Sequence, residues 1–327
     1  MGCTVSVIVV NFNQGRYLDR AIDSILKQTF HSYHILIVDD GSTDNSLQLI
    51  HRLSAKHPTR ITFLHHPNLE NRGIIKSYQL AISAVKGKYV AFLVFYYWLD
   101  ENYLKTKVEI LDRYPQVGVV FSPYRVISNG YYGKDMIFRQ IVLRWFTQHS
   151  RPYNNLKHLL RRNNVATFST LVTRKTLLDA ISFHCASDTV FFDWWLLIQL
   201  GMRTKFYMDP DSFACWRVHR NSTLGRQSMA LHRRRLVEFV AFVYAHIWQN
   251  WKRLPPDCKR YFLRQQRLLP YFCRYYGSPD LHNFLTFFRR DPLWAVDSLG
   301  SYMVNSLKYK HNDGPVTTNY GHYGDGF

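Results

Sequence analysis

Short apolar runs alternate with amphipathic segments over roughly the first hundred residues, and this alternation limits the possible folds more than any other feature. Val5–Val10, Ile35–Val38 and Tyr89–Phe95 are rich in β-branched, leucine or aromatic residues, which is typical of strands buried on both faces. Ile61–Leu64 is a further run of this kind, and Tyr17–Gln28 carries apolar residues at helical spacing. The pattern predicts an α/β fold with a mostly parallel sheet flanked by helices.

The position of a ligand site follows from this fold. Ligands of open α/β sheets bind outside the carboxyl ends of the strands. We therefore expect the loops that follow Val10, Val38 and Leu93 to line one shared site.

The composition divides the chain into three segments. Residues 1–227 carry the strand and helix pattern, and residues 228–311 are basic and aromatic with helical spacing. Residues 312–327 are rich in Gly and Tyr, which predicts a flexible tail. We expect a main domain, a C-terminal helical extension and a flexible tail.

The chain is strongly basic, with 42 Lys and Arg against 23 Asp and Glu and a net charge of +19. Such a charge favours acidic partners. The cations are spread widely and no nucleic-acid-binding motif is present, so we expect no nucleic-acid partner. The five cysteines form no CxxC pair, and no signal segment or long apolar run is present, which predicts a cytoplasmic protein with reduced thiols.

Three segments carry a resemblance to a known family. They read VSVIVVNFNQGRYLDRAIDSILKQTF, ILIVDDGSTDNS and NRGIIKSYQLAISAVKGKYVAFL. Together they resemble the family 2 glycosyltransferases, over about residues 4–225. The resemblance implies a GT-A-type, Rossmann-like fold and a nucleotide-sugar donor, UDP- or GDP-linked. A dinucleotide enzyme would instead carry Gly-x-Gly-x-x-Gly after the first strand, and that motif is absent.

The resemblance also implies residues that hold the nucleotide. It places Val10, Asn11, Phe12 and Asp40 around the base, where a carboxylate could accept a ring N–H and Phe12 could pack on the ring. The alternative for the Asp-Asp pair is that it caps the turn before a glycine. Arg72 falls where the family often has a basic residue near the donor, and its alternative is a solvated loop charge.

The metal-binding motif that the resemblance implies is missing. Family members typically have Leu-Asp-x-Asp-Asp at the end of the fourth strand, where the carboxylates bind Mg²⁺ or Mn²⁺. This chain reads Leu93-Val94-Phe95-Tyr96-Tyr97-Trp98, which contains no acidic residue. Asp100 and Glu101 follow at the start of the next helix, where capping is the simpler interpretation. We predict that no metal site forms here and that the aromatic side chains partly fill the donor pocket.

Two later segments resemble catalytic landmarks of the family. Asp193, in the segment FFDWWL, corresponds to the general base that takes the proton of the acceptor hydroxyl, and its alternative is a helix N-terminal residue. Asp188 is a weaker candidate for the same role. Arg217, His219 and Arg220, in WRVHRNS, correspond to a loop over the donor phosphates, and the alternative is a surface loop.

The basic aromatic segment leaves two interpretations open. Leu231–Arg235 is cationic and leads into Leu236–Trp251, which carries an aromatic stripe and is followed by Lys252 and Arg253. Such a helix could lie on an anionic membrane surface, at the cytoplasmic face. The alternative, which we favour because aromatic stripes usually belong to a core, is that the helix packs on the catalytic domain.

The resemblance therefore implies one activity and one alternative. The first is inverting transfer of a sugar from a nucleotide sugar to a glycan or lipid-linked acceptor, impaired or metal-independent because the acidic motif is lost. The second is a catalytically inactive nucleotide-binding protein or scaffold in polysaccharide biosynthesis.

Overall fold

The predicted alternation of strands and helices is present in the computed structural model, which describes residues 3–128, 138–139, 151–160, 163, 165, 167–183, 191–218, 229–277, 282, 285–286 and 289. The strands are β1 Val5–Asn11, β2 Tyr33–Asp39, β3 Ile61–His65, β4 Tyr89–Val94, β5 Tyr97–Leu99, β6 Val117–Phe121, β7 Tyr124–Ser128, β8 Phe138–Arg139, β9 Leu171–Arg174, β10 Lys205–Met208 and β11 Ala214–Val218. The helices are α1 Gly15–Leu26, α2 Ser46–Lys56, α3 Ile74–Ser83, α4 Tyr103–Arg113, α5 Leu156–Leu159, α6 Lys175–Asp179, α7 Phe192–Gly201, α8 Met229–Gln249 and α9 Pro256–Gly277.

Seven of the described strands form one sheet, in the order β10-β6-β9-β4-β1-β2-β3. The neighbours are parallel except where β9 runs antiparallel between β4 and β6. In the centre, Val10 of β1 pairs with Val38 of β2 and with Val94 of β4, so these three strands end at the same edge. Every residue of β1 is buried, as its continuous apolar run predicts. The predicted α/β class with a mostly parallel sheet is confirmed.

A second sheet, in the order β5-β11-β7-β8, was not predicted from the sequence. The strand expected over Tyr89–Phe95 ends at Val94, and the chain resumes an extended form in β5 after two residues. There Tyr97 pairs with Trp216 of β11. The pairing brings residues from the end of β4 beside residues more than a hundred positions later in the chain.

The described residues cluster into two compact units. One contains residues 1–155, 163–184 and 192–218 and holds both sheets. The other contains residues 156–162, 185–191 and 219–327, with helices α5, α8 and α9.

The aromatic stripe of α8 is largely buried inside this second unit. Phe239, Tyr244 and Ile247 are buried. The ring of Tyr244 lies 4.7 Å from the ring of Phe262 on α9. The partner of α8 in this packing is α9, which was not predicted from the sequence, and packing of α8 on the catalytic domain stays a prediction. Trp248 stays 44% exposed. Among the described residues, no helix combines the length and the apolar character that crossing a bilayer requires.

Candidate active site

The ends of β1 and β2 are joined by a buried hydrogen-bond network. Asn11 and Asp39 are register partners, and Asn11 Nδ2 donates to Asp39 Oδ2 at 2.8 Å. The Ser42 backbone N–H donates to Asp39 Oδ1 at 2.8 Å, and the Ser42 hydroxyl donates to Oδ2 at 2.7 Å. Asp39 therefore closes the turn, as the capping alternative proposed for the Asp-Asp pair. Asn11 Oδ1 is buried and accepts no hydrogen bond from the described residues.

Asp40 has different partners from Asp39. It is only 3% exposed, and its Oδ1 accepts the Arg72 backbone N–H at 2.9 Å. His66 Nε2 lies 3.6 Å from the same oxygen and 3.0 Å from the hydroxyl of Ser77 on α3. Burial raises the pKa of the Asp40 carboxyl, although the Arg72 N–H opposes the rise. An ionised carboxylate has about four acceptor positions, so further donors could still reach Asp40.

The loop before α3 passes close over the turn after β2. Gly41 has a φ of +77°, and a Cβ there would stand 2.6 Å from the Asn71 backbone nitrogen. Glycine is required at this position because it tolerates both the positive φ and the close approach. The side chain of Arg72 extends outward, where its Nε donates to Glu70 Oε1 at 2.7 Å. The backbone of Arg72, and not its guanidinium, is what contacts the Asp40 carboxylate.

The remaining predicted base-binding residues lie at the end of β1. Val10 is buried, 7% exposed, beside Val94 at the end of β4. Phe12 follows the strand and is half-buried. The predicted residues of β1 and β2 are therefore gathered at the same edge of the sheet.

Aromatic side chains occupy the end of β4. The rings of Phe95 and Tyr96 lie 4.9 Å apart, and the ring of Tyr97 stacks on Trp216 at 6.1 Å. Tyr97 is 3% exposed and belongs to the hydrophobic core. A shallow cleft of about 140 Å³ remains, lined by Tyr17, Arg20, Phe95, Tyr96, Tyr97, Trp98 and Arg217.

The residues at this strand end do not fit a divalent cation. Mg²⁺ and Mn²⁺ prefer carboxylate, carbonyl and water oxygens. Val94–Trp98 offers only phenol oxygens from its side chains, and within the described ranges no three His, Cys, Asp or Glu residues could share a metal ion. Asp100 Oδ1 accepts the Asn102 backbone N–H at 3.0 Å ahead of α4, which is the local role expected of it.

Arg217 lies in the cleft among aromatic rings. Its backbone N–H donates to the Tyr96 carbonyl at 3.0 Å. Its Cζ lies 5.2 Å from the Tyr17 ring centroid and 5.4 Å from that of Trp98. Burial lowers the pKa of the Arg217 guanidinium, and the positive charge of Arg20 lowers it further. Arg20 was not predicted as a site residue, although its spacing of three from Tyr17 on α1 places both on one helix face.

Asp193 lies in the first turn of α7 and is half-buried. Its Oδ1 accepts the Trp194 backbone N–H at 2.7 Å. Burial raises the pKa of this carboxyl to about 7. Burial also raises the pKa values of Tyr78 and Tyr96, and the negative charge of Asp193 adds to both. Asp193 is therefore within electrostatic range of Tyr96, which follows the end of β4.

Three of the candidates named from the sequence, Asp188, His219 and Arg220, lie outside the described residues. Their roles stay predictions. The residues that sequence reasoning missed are His66, Ser77 and Arg20. Arg20 and Ser77 lie in segments that carry the resemblance but were given no role there, and His66 lies outside those segments.

Comparison with known proteins decides the family. The model of glycosyl transferase family 2 matches residues 6–179, which is more than half of the chain. The chain belongs to glycosyl transferase family 2. The match covers the strands and loops that carry Asn11, Asp40, Arg72 and Tyr96, and it confirms the resemblance seen in the sequence.

Two relatives with similar sequences are one protein without an assigned function and one named glucosyltransferase. An uncharacterised protein of Mycobacterium tuberculosis is 30% identical over 220 residues, which is 66% of this chain and 59% of the relative. The chain thus spans less than two thirds of that relative's length. The UDP-Glc:alpha-D-GlcNAc-diphosphoundecaprenol beta-1,3-glucosyltransferase WfaP of Escherichia coli is 26% identical over 242 residues, covering 74% of this chain and 88% of WfaP.

Solved structures of glycosyltransferases share the fold. TarS residues 1–349 of S. aureus, in complex with UDP-GlcNAc, matches with a TM-score of 0.62 and 16% identity, covering 92% of this chain and 81% of TarS. The mannosyltransferase PcManGT of Pyrobaculum calidifontis, in complex with GDP-Man and Mn²⁺, matches with a TM-score of 0.59 and 16% identity, covering 95% and 82%. The predicted GT-A-type fold is confirmed.

Proposed function

We propose that this chain transfers a sugar, with inversion, from a UDP- or GDP-linked donor to a glycan or lipid-linked acceptor. The observation that carries the proposal is the Asp193 carboxyl. Burial raises the pKa of this carboxyl to about 7, and its negative charge acts on Tyr96 at the end of β4. A carboxyl with a pKa near the working pH is suited to general base catalysis.

The chemical step follows from this assignment. Asp193 takes the proton of an acceptor hydroxyl as the hydroxyl oxygen attacks the anomeric carbon. The new glycosidic bond forms while the bond from the anomeric carbon to the diphosphate breaks, and the nucleoside diphosphate leaves with the bonding electrons. Attack from the face opposite the leaving group inverts the anomeric centre.

The donor's nucleoside is assigned to the edge formed by β1 and β2. Asp40 would accept a ring N–H of the base, and Phe12 would pack on the ring. Asn11 Oδ1, buried without a donor among the described residues, supplies a further acceptor. The complexes of TarS with UDP-GlcNAc and of PcManGT with GDP-Man support a nucleotide-sugar donor.

The acceptor assignment draws on the relative WfaP, whose name specifies an undecaprenol-linked diphosphate sugar. A lipid-linked acceptor would suit a protein that binds the surface of an anionic membrane from the cytoplasm. The exposed Trp248, stacked on Trp251 at 4.9 Å, with Lys252 and Arg253 beside it, supports such a surface. Flotation on liposomes with and without anionic lipid tests it, and absence of flotation on both would remove the membrane from the proposal.

The alternative is a nucleotide-binding protein without transferase activity, which would act as a scaffold. The specific observation that favours it is the end of β4, where Val94–Trp98 lacks carboxylates and its aromatic rings leave only a narrow cleft.

Assays of sugar transfer and donor hydrolysis with the purified protein distinguish the transferase from the inactive nucleotide-binding protein. Nucleotide sugars are first screened by thermal shift, because a ligand that binds the folded state raises the melting temperature. Turnover is then measured for the wild type and for Asp193→Asn. Turnover that Asp193→Asn abolishes supports the enzyme. Donor binding without turnover in the wild type supports the alternative, and equal turnover of both proteins would remove Asp193 as the base.

A further inference from the structure

Two arginine side chains meet at one aromatic ring in the cleft beside the end of β4. The Cζ of Arg20 lies 3.6 Å from the centroid of the Trp98 ring, and the Cζ of Arg217 lies 5.4 Å from the same centroid. Arg217 is also 5.2 Å from the Tyr17 ring, measured in the same way. These distances are those of cation–π contacts. The rings of α1 and β5 therefore hold two guanidinium groups close together.

The positive charge of the pair is not compensated by the described part of the chain. No described carboxylate lies within ion-pair distance of Arg20 or Arg217. The Nε of Arg217 is buried and finds no acceptor among the described residues. An unpaired buried donor and two adjacent like charges both cost free energy. An anion that bound both guanidinium groups would offset both costs.

The location of the pair is where a donor diphosphate would need a counter-charge. Arg20 lies on α1, the helix that follows β1 and its base-binding candidates Asn11 and Phe12. Trp98 lies two residues after Tyr96, whose ring is within electrostatic range of Asp193. The cleft between the rings is too narrow for a nucleotide sugar, but Arg20 is exposed at it, so a phosphate group can reach the arginine pair from solvent.

We propose that Arg20 and Arg217 bind the diphosphate of the donor directly, in the position where other members of the family use a divalent cation. The inference rests on the proposed function, because it assigns the charged part of the same donor. Guanidinium groups bind phosphate oxygens through charge-assisted, often bidentate hydrogen bonds. The same groups stabilise the negative charge that builds on the departing nucleoside diphosphate. Donor binding to this chain is accordingly independent of divalent metal.

Isothermal titration calorimetry tests the site with UDP, GDP, their nucleosides and inorganic pyrophosphate, in EDTA and separately with Mn²⁺. We expect UDP or GDP to bind equally well in both conditions. Arg20→Gln and Arg217→Gln should each weaken diphosphate binding about tenfold, and the double variant about a hundredfold, because each removes charged hydrogen bonds. Nucleoside affinity should not change. Arg20 is exposed on α1, so Arg20→Gln is expected to fold even if Arg217→Gln does not.

Arg52→Gln is the matched control, since Arg52 is an exposed arginine of α2 that pairs with Asp19. It should bind every ligand as the wild type does. Diphosphate binding that requires Mn²⁺, or that survives in the double variant, would overturn the inference. A different result rejects the proposed function alone: pyrophosphate binds in EDTA and loses affinity in the arginine variants, while neither nucleosides nor nucleotides bind more tightly than pyrophosphate.

Discussion

Replacing Asp193 by asparagine separates the proposed chemical role of this carboxyl from its effect on stability. Burial raises the pKa of Asp193 to about 7 from an ordinary value of 3.8. The unfolded chain therefore releases this proton near pH 4, while the folded chain keeps it until about pH 7. Between these values the unfolded state binds fewer protons than the folded state, so the free energy of unfolding falls as the pH rises.

The size of the effect follows from the difference between the two pKa values. At about 1.36 kcal/mol for each pH unit, ionised Asp193 costs the fold up to about 4 kcal/mol above pH 7. Asparagine keeps a similar shape and has no charge at any pH. We expect Asp193→Asn to match the wild type in stability near pH 4 and to become the more stable protein, by about 2–4 kcal/mol, near pH 8.

Urea unfolding of both proteins, followed by circular dichroism over this pH range, measures the difference. Asp211→Asn serves as the control, because Asp211 is an exposed carboxylate and its loss should change stability by no more than about 0.5 kcal/mol. Transfer activity should be lost in Asp193→Asn, and in the wild type it should rise with pH through about 7 as the base ionises. If the difference in unfolding free energy between wild type and Asp193→Asn were the same at every pH, the reasoning would be refuted.

Further variants test other parts of the structure. Asp209→Asn should destabilise the fold by about 3–5 kcal/mol in urea unfolding, because Lys107 is fully buried with its Nζ 3.1 Å from Asp209 Oδ2, and an unchanged midpoint would contradict this. Gly41→Ala should lower the melting temperature more than Gly73→Ala, since a Cβ at Gly41 would stand 2.6 Å from a backbone nitrogen while the space at Gly73 is open; equal losses would mean that positive φ alone matters. Asp40→Asn should weaken the binding of UDP or GDP and their nucleosides about tenfold in calorimetry, and equal affinity would remove Asp40 from the base site.

Much of the fold could be predicted from the sequence because the signal is local. The apolar runs at the positions of β1, β2 and β4 indicate burial on both faces, and the spacing in α1 indicates one buried face. The absence of acidic residues over Val94–Trp98 is likewise visible without a structure. The second sheet was not predictable, because β5 is three residues long and pairs with a strand far along the chain.

The roles of individual side chains at the site were harder to predict from the sequence. The sequence marked Arg72 as a cationic residue near the donor, whereas its guanidinium pairs with Glu70 and its backbone N–H holds Asp40. Nothing in the sequence showed that the charge of Asp193 acts on Tyr96, although both residues were noted separately. The Arg72–Asp40 contact and this electrostatic interaction both join residues that are adjacent only after packing.

The sequence by itself determined the family and the strands and helices from β1 to β4, and it predicted the edge of the sheet where a ligand would bind, since hydrophobic periodicity and motif spacing are properties of neighbouring residues. The tertiary structure decided which charges meet. Arg20 and Arg217 are almost two hundred positions apart in the chain, yet their guanidinium groups lie over one Trp98 ring. The physical reason is that electrostatic interactions and desolvation depend on distance in space and on burial, and both are set by how the elements pack together.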